Sequence, residues 1–221
     1  MTGVNAVLFD LYDTLAWTEW PALRPMIARR AGVSSGQLLE AFDVTRPARA
    51  VGAYGSMEAD LAMVLSAAGL GRDDVLVRDL AQLVTGFLET GVHLWDDSLP
   101  TLRELRARGV RTAVVSNCDH GTRPVVERLE LDREADAVIL SFEVKVAKPD
   151  PGIYLAALDA VGARPEDAVF VDDQADYCDG AQAVGIRPFL MLREEANPAR
   201  GVSTSQRHPV IRGLRSLLEL L

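Results

Sequence analysis

Residues 4–15, Val-Asn-Ala-Val-Leu-Phe-Asp-Leu-Tyr-Asp-Thr-Leu, decide the fold of this chain. They begin with an apolar run over residues 4–9 that stops at Asp10. A short run that is apolar rather than alternating is typical of a strand buried on both faces of a parallel sheet. Ligands of such sheets bind beyond the carboxyl ends of the strands, so Asp10 is also a candidate for chemistry.

Four more apolar runs of this kind follow, and stretches with helical periodicity lie between them. The predicted strands after the first are residues 111–115, 137–140, 168–171 and 187–192. The predicted helices are residues 99–108, 122–129, 152–161, 176–184 and 209–221. This alternation predicts an α/β fold with a doubly wound parallel sheet.

A long insertion separates the first strand from the rest of the sheet. It shows no convincing strand and has helical patterns over residues 20–31, 35–44, 56–68 and 73–90. At about 75 residues it is far longer than an ordinary loop. We therefore predict a Rossmann-like core of residues 1–15 and 93–221 and a smaller all-α cap domain of residues 16–92. We expect the cap to act as a lid; a subdomain that merely packs on the core is the alternative.

Composition limits the classes of function. The chain has 221 residues, of which 48% are hydrophobic, and a formal net charge of −9. An acidic protein is a poor partner for nucleic acid or an anionic membrane, so we expect neither. Its two cysteines and the absence of a secretory signal pattern favour a cytoplasmic protein. We expect a small, anionic substrate, and both a monomer and a homodimer stay open.

Reactive side chains stand at or shortly after the ends of four of the five predicted strands. In chain order they are Asp10, Ser116 with Asn117, Lys148, and the pair Asp172–Asp173. One aspartate after a strand is weak evidence, because turns favour aspartate. Four such endings, in the order acid, hydroxyl, lysine and acid pair, predict one site at the edge of the sheet.

The chemistry of this group is coherent. Asp10 is the candidate nucleophile, and the ammonium of Lys148 would keep its carboxylate ionised. Ser116 can donate a hydrogen bond to a substrate oxygen. The neighbouring acids Asp172 and Asp173 would repel each other and Asp10 unless a hard cation lay among them, which predicts Mg²⁺ as cofactor.

These strand-end sequences resemble the four motifs of the haloacid dehalogenase superfamily, in the group whose α-helical cap follows the first motif. The matching stretches are residues 8–15 (LFDLYDTL), 114–117 (VVSN), 148–151 (KPDP), and 170–173 (FVDD) followed by 180–185 (GAQAVG). The resemblance covers essentially the whole chain. It implies a hydrolase in which Asp10 is the nucleophile and Ser116 and Lys148 assist it.

The resemblance also implies which residues hold the metal and the substrate. The implied Mg²⁺ ligands are Asp10, the backbone carbonyl of Tyr12, Asp173 and Asp172. The expected substrate contacts are Tyr12, Thr14 and Asn117.

One position departs from the phosphatases of the superfamily. They usually carry a second aspartate, the general acid/base, two residues after the nucleophile, where this chain has Tyr12; its aspartate is one place later, at Asp13. The metal-independent 2-haloacid dehalogenases of the superfamily have a tyrosine there, but they lack an acid pair such as Asp172–Asp173. The acid pair therefore favours a Mg²⁺-dependent phosphatase. A 2-haloacid dehalogenase and a binding protein without catalysis are the alternatives.

A few residues outside the motifs carry weaker expectations. Lys145 and Lys148 are the two lysines among 23 basic residues, and we expect Lys145 to be the solvated one. Arg46 and Arg49 are expected to be exposed helix charges, with contact to a substrate anion as the alternative. His120, just after the second motif, is a candidate for the pocket wall.

Overall fold

The structure, a computed structural model, describes residues 3–193 and 207–220. Its eight strands are β1 (Ala6–Phe9), β2 (Ala16–Thr18), β3 (Val92–Leu94), β4 (Arg111–Ser116), β5 (Ala137–Leu140), β6 (Ala168–Asp172), β7 (Arg187–Met191) and β8 (Val210–Ile211). Six of them form a parallel sheet in the order β5-β4-β1-β6-β7-β8. The predicted α/β fold with a parallel sheet is confirmed.

The helices of the described residues complete the architecture. They are α1 (Trp20–Ala31), α2 (Ser35–Ala50), α3 (Met57–Ala67), α4 (Asp74–Thr90), α5 (Ser98–Ala107), α6 (Thr122–Arg128), α7 (Leu131–Glu134), α8 (Ser141–Val144), α9 (Pro151–Val161), α10 (Ala175–Ala183) and α11 (Leu214–Leu220). A 3₁₀ turn, Pro165–Asp167, precedes β6.

Helices cover both faces of the sheet, as a doubly wound fold requires. Along β1, Val7 and Phe9 face a cluster that includes α5, α6 and α11, whereas Ala6 and Leu8 face a cluster that includes α9 and α10. All four side chains are fully buried. The continuously apolar sequence of β1 is explained by this burial on both sides.

The register of the central strand determines where the polar side chains emerge. Phe9 pairs with Val114 of β4 on one side and with Val171 of β6 on the other. The next residues along the chain are therefore brought to one edge: Asp10 follows β1 directly, while Ser116 and Asp172 end β4 and β6.

Helices α1–α4 pack around a hydrophobic cluster of their own. Local capping explains several of their ends. Ser34 and Gln37 form a capping box at the start of α2, and the Asp73 side chain accepts hydrogen bonds from two backbone amides at the start of α4. The predicted helices of the insertion are present, although the division into domains at residues 15/16 and 92/93 stays a prediction.

The prediction that the insertion contains no strand is wrong. Strands β2 and β3 pair antiparallel at its two ends, with Trp17 opposite His93, and their rings stack at 4.4 Å. Each strand has three residues, which is too short for a recognisable alternation, and the partners lie far apart in the sequence.

Two predicted helix bounds also need correction. The last predicted helix, residues 209–221, begins instead at Leu214, because Val210–Ile211 pairs with β7 as an edge strand; residue 221 lies outside the described residues. Helix α2 continues through Pro47 to Ala50, six residues beyond the predicted end. None of the described helices is both long and apolar enough to cross a membrane.

Gly52 provides a test of how closely the end of α2 approaches the core. Its φ is 61°, and a Cβ there would lie 2.6 Å from the carbonyl oxygen of Phe142 and 2.7 Å from Nζ of Lys145. Gly32, at the end of α1, has φ 70° but open space around it. We expect Gly32→Ala to cost about 1 kcal/mol from the left-handed backbone alone, and Gly52→Ala about 1–3 kcal/mol more. Urea unfolding of the two variants measures the difference; equal losses would contradict the close approach.

Candidate active site

A buried lysine lies between two carboxylates at the carboxyl edge of the sheet. Nζ of Lys148 donates to Oδ1 of Asp10 at 2.5 Å and to Oδ2 of Asp172 at 2.6 Å. The other oxygen of Asp172 accepts the backbone N–H of Gln174 at 2.8 Å. The structure thus brings together the ends of β1 and β6 and the KPDP segment, as the sequence predicts.

Burial and the neighbouring charges shift the pKa values of Lys148 and Asp172. Burial by itself lowers the pKa of Lys148, but Asp10 and Asp172 raise it above its usual value, so the ammonium stays charged. Complete burial raises the pKa of Asp172 well above the ordinary range; Lys148 opposes this rise, while Asp10 and Asp173 add to it. Asp10 and Asp172 therefore favour the charged form of Lys148, and Lys148 favours the charged form of Asp172.

The acid cluster fits a divalent cation. Asp10, Asp172 and Asp173 each offer a carboxylate oxygen, and these atoms lie within 4.8 Å of one another. Three carboxylates form an all-oxygen donor set, which is the kind that Mg²⁺ prefers. The backbone carbonyl of Tyr12 as a further ligand stays a prediction.

Two buried hydroxyls beside the nucleophile have no hydrogen-bond partner among the described residues. They are Oγ of Ser116 and Oγ1 of Thr14, in residues that are 1% and 0% exposed. A buried hydroxyl without a partner costs free energy unless a ligand or water completes it. Contact of either hydroxyl with a substrate oxygen stays a prediction.

The side chain of Asn117 holds the backbone of Lys148 in place. Its Nδ2 donates to the carbonyl of Lys148 at 2.8 Å, and its Oδ1 accepts the Lys148 N–H at 2.7 Å. The side chain expected to contact substrate is therefore engaged in positioning Lys148, although Asn117 also lines the adjacent cavity.

Tyr12 faces the same cavity, and its hydroxyl lies 3.3 Å from Oγ1 of Thr122. Burial raises the pKa of Tyr12 above its usual value, and the hydrogen bond with Thr122 offsets this only in part. The phenol therefore stays protonated at neutral pH. Asp13, which also lines the cavity, has a left-handed backbone with φ 66°.

The cavity, of about 260 Å³, lies between α1–α4 and the loops that carry Tyr12 and Asn117. Two polar contacts beside the cavity join the helices of the insertion to the loop after β4. Arg49 of α2 donates to Asp119 at 2.7 Å, and Nδ1 of His120 lies 2.8 Å from Oδ2 of Asp60 in α3.

Some weaker expectations were therefore wrong. Arg49 is buried rather than exposed, and it also donates to the carbonyl of Phe42 and to Oγ1 of Thr45. Lys145 is not only solvated, since its Nζ donates to the carbonyl of Gly52 at 3.2 Å. Arg46 is exposed, as expected, and lines the cavity.

A supporting arginine was missed by the sequence analysis. The buried side chain of Arg193 donates to the carbonyl of Thr14 at 2.8 Å and forms two hydrogen bonds with Asp97, at 2.8 and 3.1 Å. Asp97 in turn accepts the backbone N–H of Leu214 at the start of α11. Arg193 thus ties the loop after Asp10 to distant parts of the chain, and no sequence pattern signals such a pairing.

Comparison with known proteins identifies the family. The profile described as "haloacid dehalogenase-like hydrolase" matches residues 4–185, which include the nucleophile candidate, Lys148 and the acid pair. The chain belongs to the haloacid dehalogenase-like hydrolases, and the predicted resemblance is confirmed.

Relatives within the family carry different names. The chain is 26% identical over 234 residues to "Phosphatase MT3486" of Mycobacterium tuberculosis, covering 99% of this chain and 97% of that one. It is 29% identical over 131 residues to "GMP/IMP nucleotidase YrfG" of Escherichia coli, covering 58% of each. A solved 2-haloacid dehalogenase from Pseudomonas syringae pv. Tomato is 25% identical, with a TM-score of 0.71 and coverage of 98% and 97%. Several other curated relatives match over about half of their length.

Replacing the buried lysine tests the charge cluster. We expect Lys148→Met to abolish turnover and to destabilise the fold by about 3–5 kcal/mol, because two buried carboxylates lose their counter-charge. Added Mg²⁺ should restore part of that stability. Thermal unfolding with EDTA and with Mg²⁺ measures both effects, and Lys145→Met is the matched control. A Lys148→Met protein as stable as the control would show that the cluster is not held by this charge.

Arg193 is expected to act by positioning the loop after the nucleophile. Arg193→Met should lower kcat about tenfold or more, with little change in KM, because the loop loses a buried support. A double-mutant cycle with Asp97→Asn should give a coupling of about 1–3 kcal/mol in unfolding experiments. The exposed Arg212 provides the control variant, Arg212→Met. Wild-type kcat in Arg193→Met would remove the positioning role.

Proposed function

We propose that this chain is a Mg²⁺-dependent hydrolase of small phosphate monoesters that works through an aspartyl-phosphate on Asp10. The observation that carries the proposal is the cluster of Asp10, Asp172 and Asp173, whose carboxylate oxygens lie within 4.8 Å of one another beside the ammonium of Lys148. Neighbouring acids, of which Asp10 and Asp172 are buried, are costly without a cation, and a divalent cation there would attract a phosphoryl group.

Each residue of the site has a defined task in this reaction. A carboxylate oxygen of Asp10 attacks phosphorus, and the bond from phosphorus to the alcohol oxygen breaks. Lys148 donates a hydrogen bond that orients Asp10, and Oγ of Ser116 donates to a phosphoryl oxygen. We assign proton transfer to the leaving oxygen to Asp13, a residue that lines the cavity. Water then hydrolyses the aspartyl-phosphate and releases inorganic phosphate. A bound Mg²⁺ would neutralise charge on the phosphoryl oxygens.

The comparisons support this choice at the level of the family. A relative named as a phosphatase matches over nearly the full length of both chains, and another is named as a nucleotidase. The acidic composition of the chain favours a small-molecule substrate over nucleic acid or a membrane. A cytoplasmic location and a monomer or homodimer are part of the same proposal.

A metal-independent 2-haloacid dehalogenase is the second candidate. Tyr12 favours it, because a protonated phenol stands in the cavity wall where the phosphatases of the family carry a carboxyl. In that reaction Asp10 would attack carbon and displace a halide, which needs no proton. The acid pair Asp172–Asp173 weighs against it, since attack on carbon gives two adjacent acids no task.

A screen with and without Mg²⁺ tests the proposal directly. Phosphate esters and 2-haloacids are offered to the purified protein, and release of phosphate and of chloride is measured. We expect phosphate release that EDTA stops and that Asp10→Asn and Asp173→Asn each lower by at least about a thousandfold. Asp176→Asn, at an acid 88% exposed in the next helix, is the control and should keep full activity.

The other possible outcomes of this screen distinguish between the candidate functions. Phosphate release that persists in chelator would contradict the metal requirement. Chloride release without Mg²⁺ would favour the dehalogenase. If no substrate of either class is turned over while metabolites raise the melting temperature, the chain is a binding protein.

A further inference from the structure

We call the cavity between α1–α4 and the core the cap chamber. Its cap side carries both charged and apolar side chains, and the charged ones are Arg24, Asp43, Arg46, Arg49 and Asp60. The apolar side chains that line it come from α1, α2, α3 and α4. They are Trp20, Leu39, Phe42, Met57, Leu61, Val64, Val84, Phe87 and Leu88. Its volume of about 260 Å³ exceeds the roughly 150 Å³ of a dry apolar cavity that takes up benzene.

The cap chamber is continuous with the nucleophile loop. Tyr12, Asp13, Asn117 and Thr122 line its core side. Tyr12 and Asp13 follow Asp10 in the chain, and Asn117 follows Ser116 and holds the backbone of Lys148. A molecule whose reacting group lies against Asp10 would therefore place its remaining part in the cap chamber.

Three aromatic rings form one side of the chamber without filling it. The ring of Trp20 meets Phe42 at 5.6 Å and Phe87 at 6.2 Å, both edge to face. All three residues are only partly buried. Leu39, one turn before Asp43 on α2, lines the same space and is 42% exposed. Exposed apolar side chains that converge on one cavity are typical of a ligand site.

The charges buried in the chamber wall are already paired within the protein. Arg49 is bound to Asp119, and Asp60 to His120. The guanidinium of Arg24 stacks on Trp20 at 6.0 Å, and that of Arg49 on Phe42 at 5.0 Å. Asp43 and Arg46 lie on the exposed side of α2. The deep wall therefore offers a ligand apolar contact rather than unpaired charge, which disfavours highly hydroxylated or charged groups.

We propose that the substrate of this site is a phosphate monoester whose leaving group is an uncharged, apolar body, at least the size of a benzene ring, that binds in the cap chamber. The proposal rests on the proposed function and specifies its substrate class. Sugar phosphates and phosphorylated hydroxy acids would bury hydroxyl or carboxylate groups against Leu61, Val64 and Phe87 without partners. An apolar alcohol would instead gain contact with the aromatic cluster.

Phosphate esters of primary alcohols test the proposal, because their leaving groups have similar reactivity. Benzyl phosphate and cyclohexylmethyl phosphate are compared with ethyl phosphate, glycerol 1-phosphate, glucose 6-phosphate and GMP, all with Mg²⁺. We expect kcat/KM for the two apolar esters to exceed that for each polar ester by about tenfold or more. A preference for GMP, glycerol 1-phosphate or glucose 6-phosphate would overturn the apolar assignment while leaving the phosphatase proposal intact.

Two variants on α2 test whether the preference for apolar esters arises from binding in the cap chamber. Leu39→Gln should lower the ratio of kcat/KM for benzyl over ethyl phosphate about five- to tenfold, because it places an amide in the apolar wall. Val44→Gln, at a residue 69% exposed on the same helix and outside the cavity lining, should leave that ratio unchanged. Melting temperatures show that both variants fold. Identical ratios in the two variants would contradict binding in the chamber.

A binding measurement separates failure of this inference from failure of the proposed function. Benzylphosphonate and methylphosphonate, which cannot be hydrolysed, are titrated by calorimetry with Mg²⁺. We expect benzylphosphonate to bind at least about tenfold tighter, and Leu39→Gln to remove most of this difference. If no ester is turned over but benzylphosphonate still binds more tightly, binding of an apolar group in the cap chamber is supported and the phosphatase proposal is contradicted. Equal affinities for the two phosphonates would contradict binding of an apolar group in the cap chamber.

Discussion

The ammonium of Lys148 lies fully buried between Asp10 and Asp172, and the rest of the site is arranged around this contact. Burying one charge in a protein is unfavourable, and burying two like charges is worse. The lysine makes both carboxylates tolerable, and its segment is fixed by the two hydrogen bonds of Asn117. The sheet supplies the rest, because β1, β4 and β6 end side by side. The same few residues therefore determine both the geometry and the charge of the site.

Two polar contacts join helices α2 and α3 to the core beside this site. A cation of α2 meets an acid of the core, and an acid of α3 meets a histidine of the core. Burial raises the pKa of Asp60, an effect that His120 only partly offsets. The apolar cavity lies directly behind these contacts, so the position of the cap also defines its volume.

Structural features that depend on neighbouring residues in the sequence were predictable, whereas features that depend on residues far apart in the sequence were mostly not. The strands and Asp10 were predictable because apolar runs and their polar ends are local patterns. The grouping of Ser116, Lys148 and Asp172 followed from the rule that parallel strands end at one edge. Pairings such as Arg193 with Asp97, or β2 with β3, were not predictable, since neither partner carries a local signal. The fold and the edge of the sheet that carries Asp10 were thus predictable, and the walls of the cavity were not.

The central position of β1 has a consequence for how the chain folds during synthesis. Leu8 leaves the ribosome well before Ala113 and Phe170, its partners in the two neighbouring strands. Until then both hydrogen-bonding edges of a fully apolar strand are unpaired, which is the condition that promotes aggregation. Helices α1–α4, made in the meantime, have a hydrophobic cluster of their own and can fold locally. The strand that leads to Asp10 is therefore made before helices α1–α4, but its pairing is completed only after them.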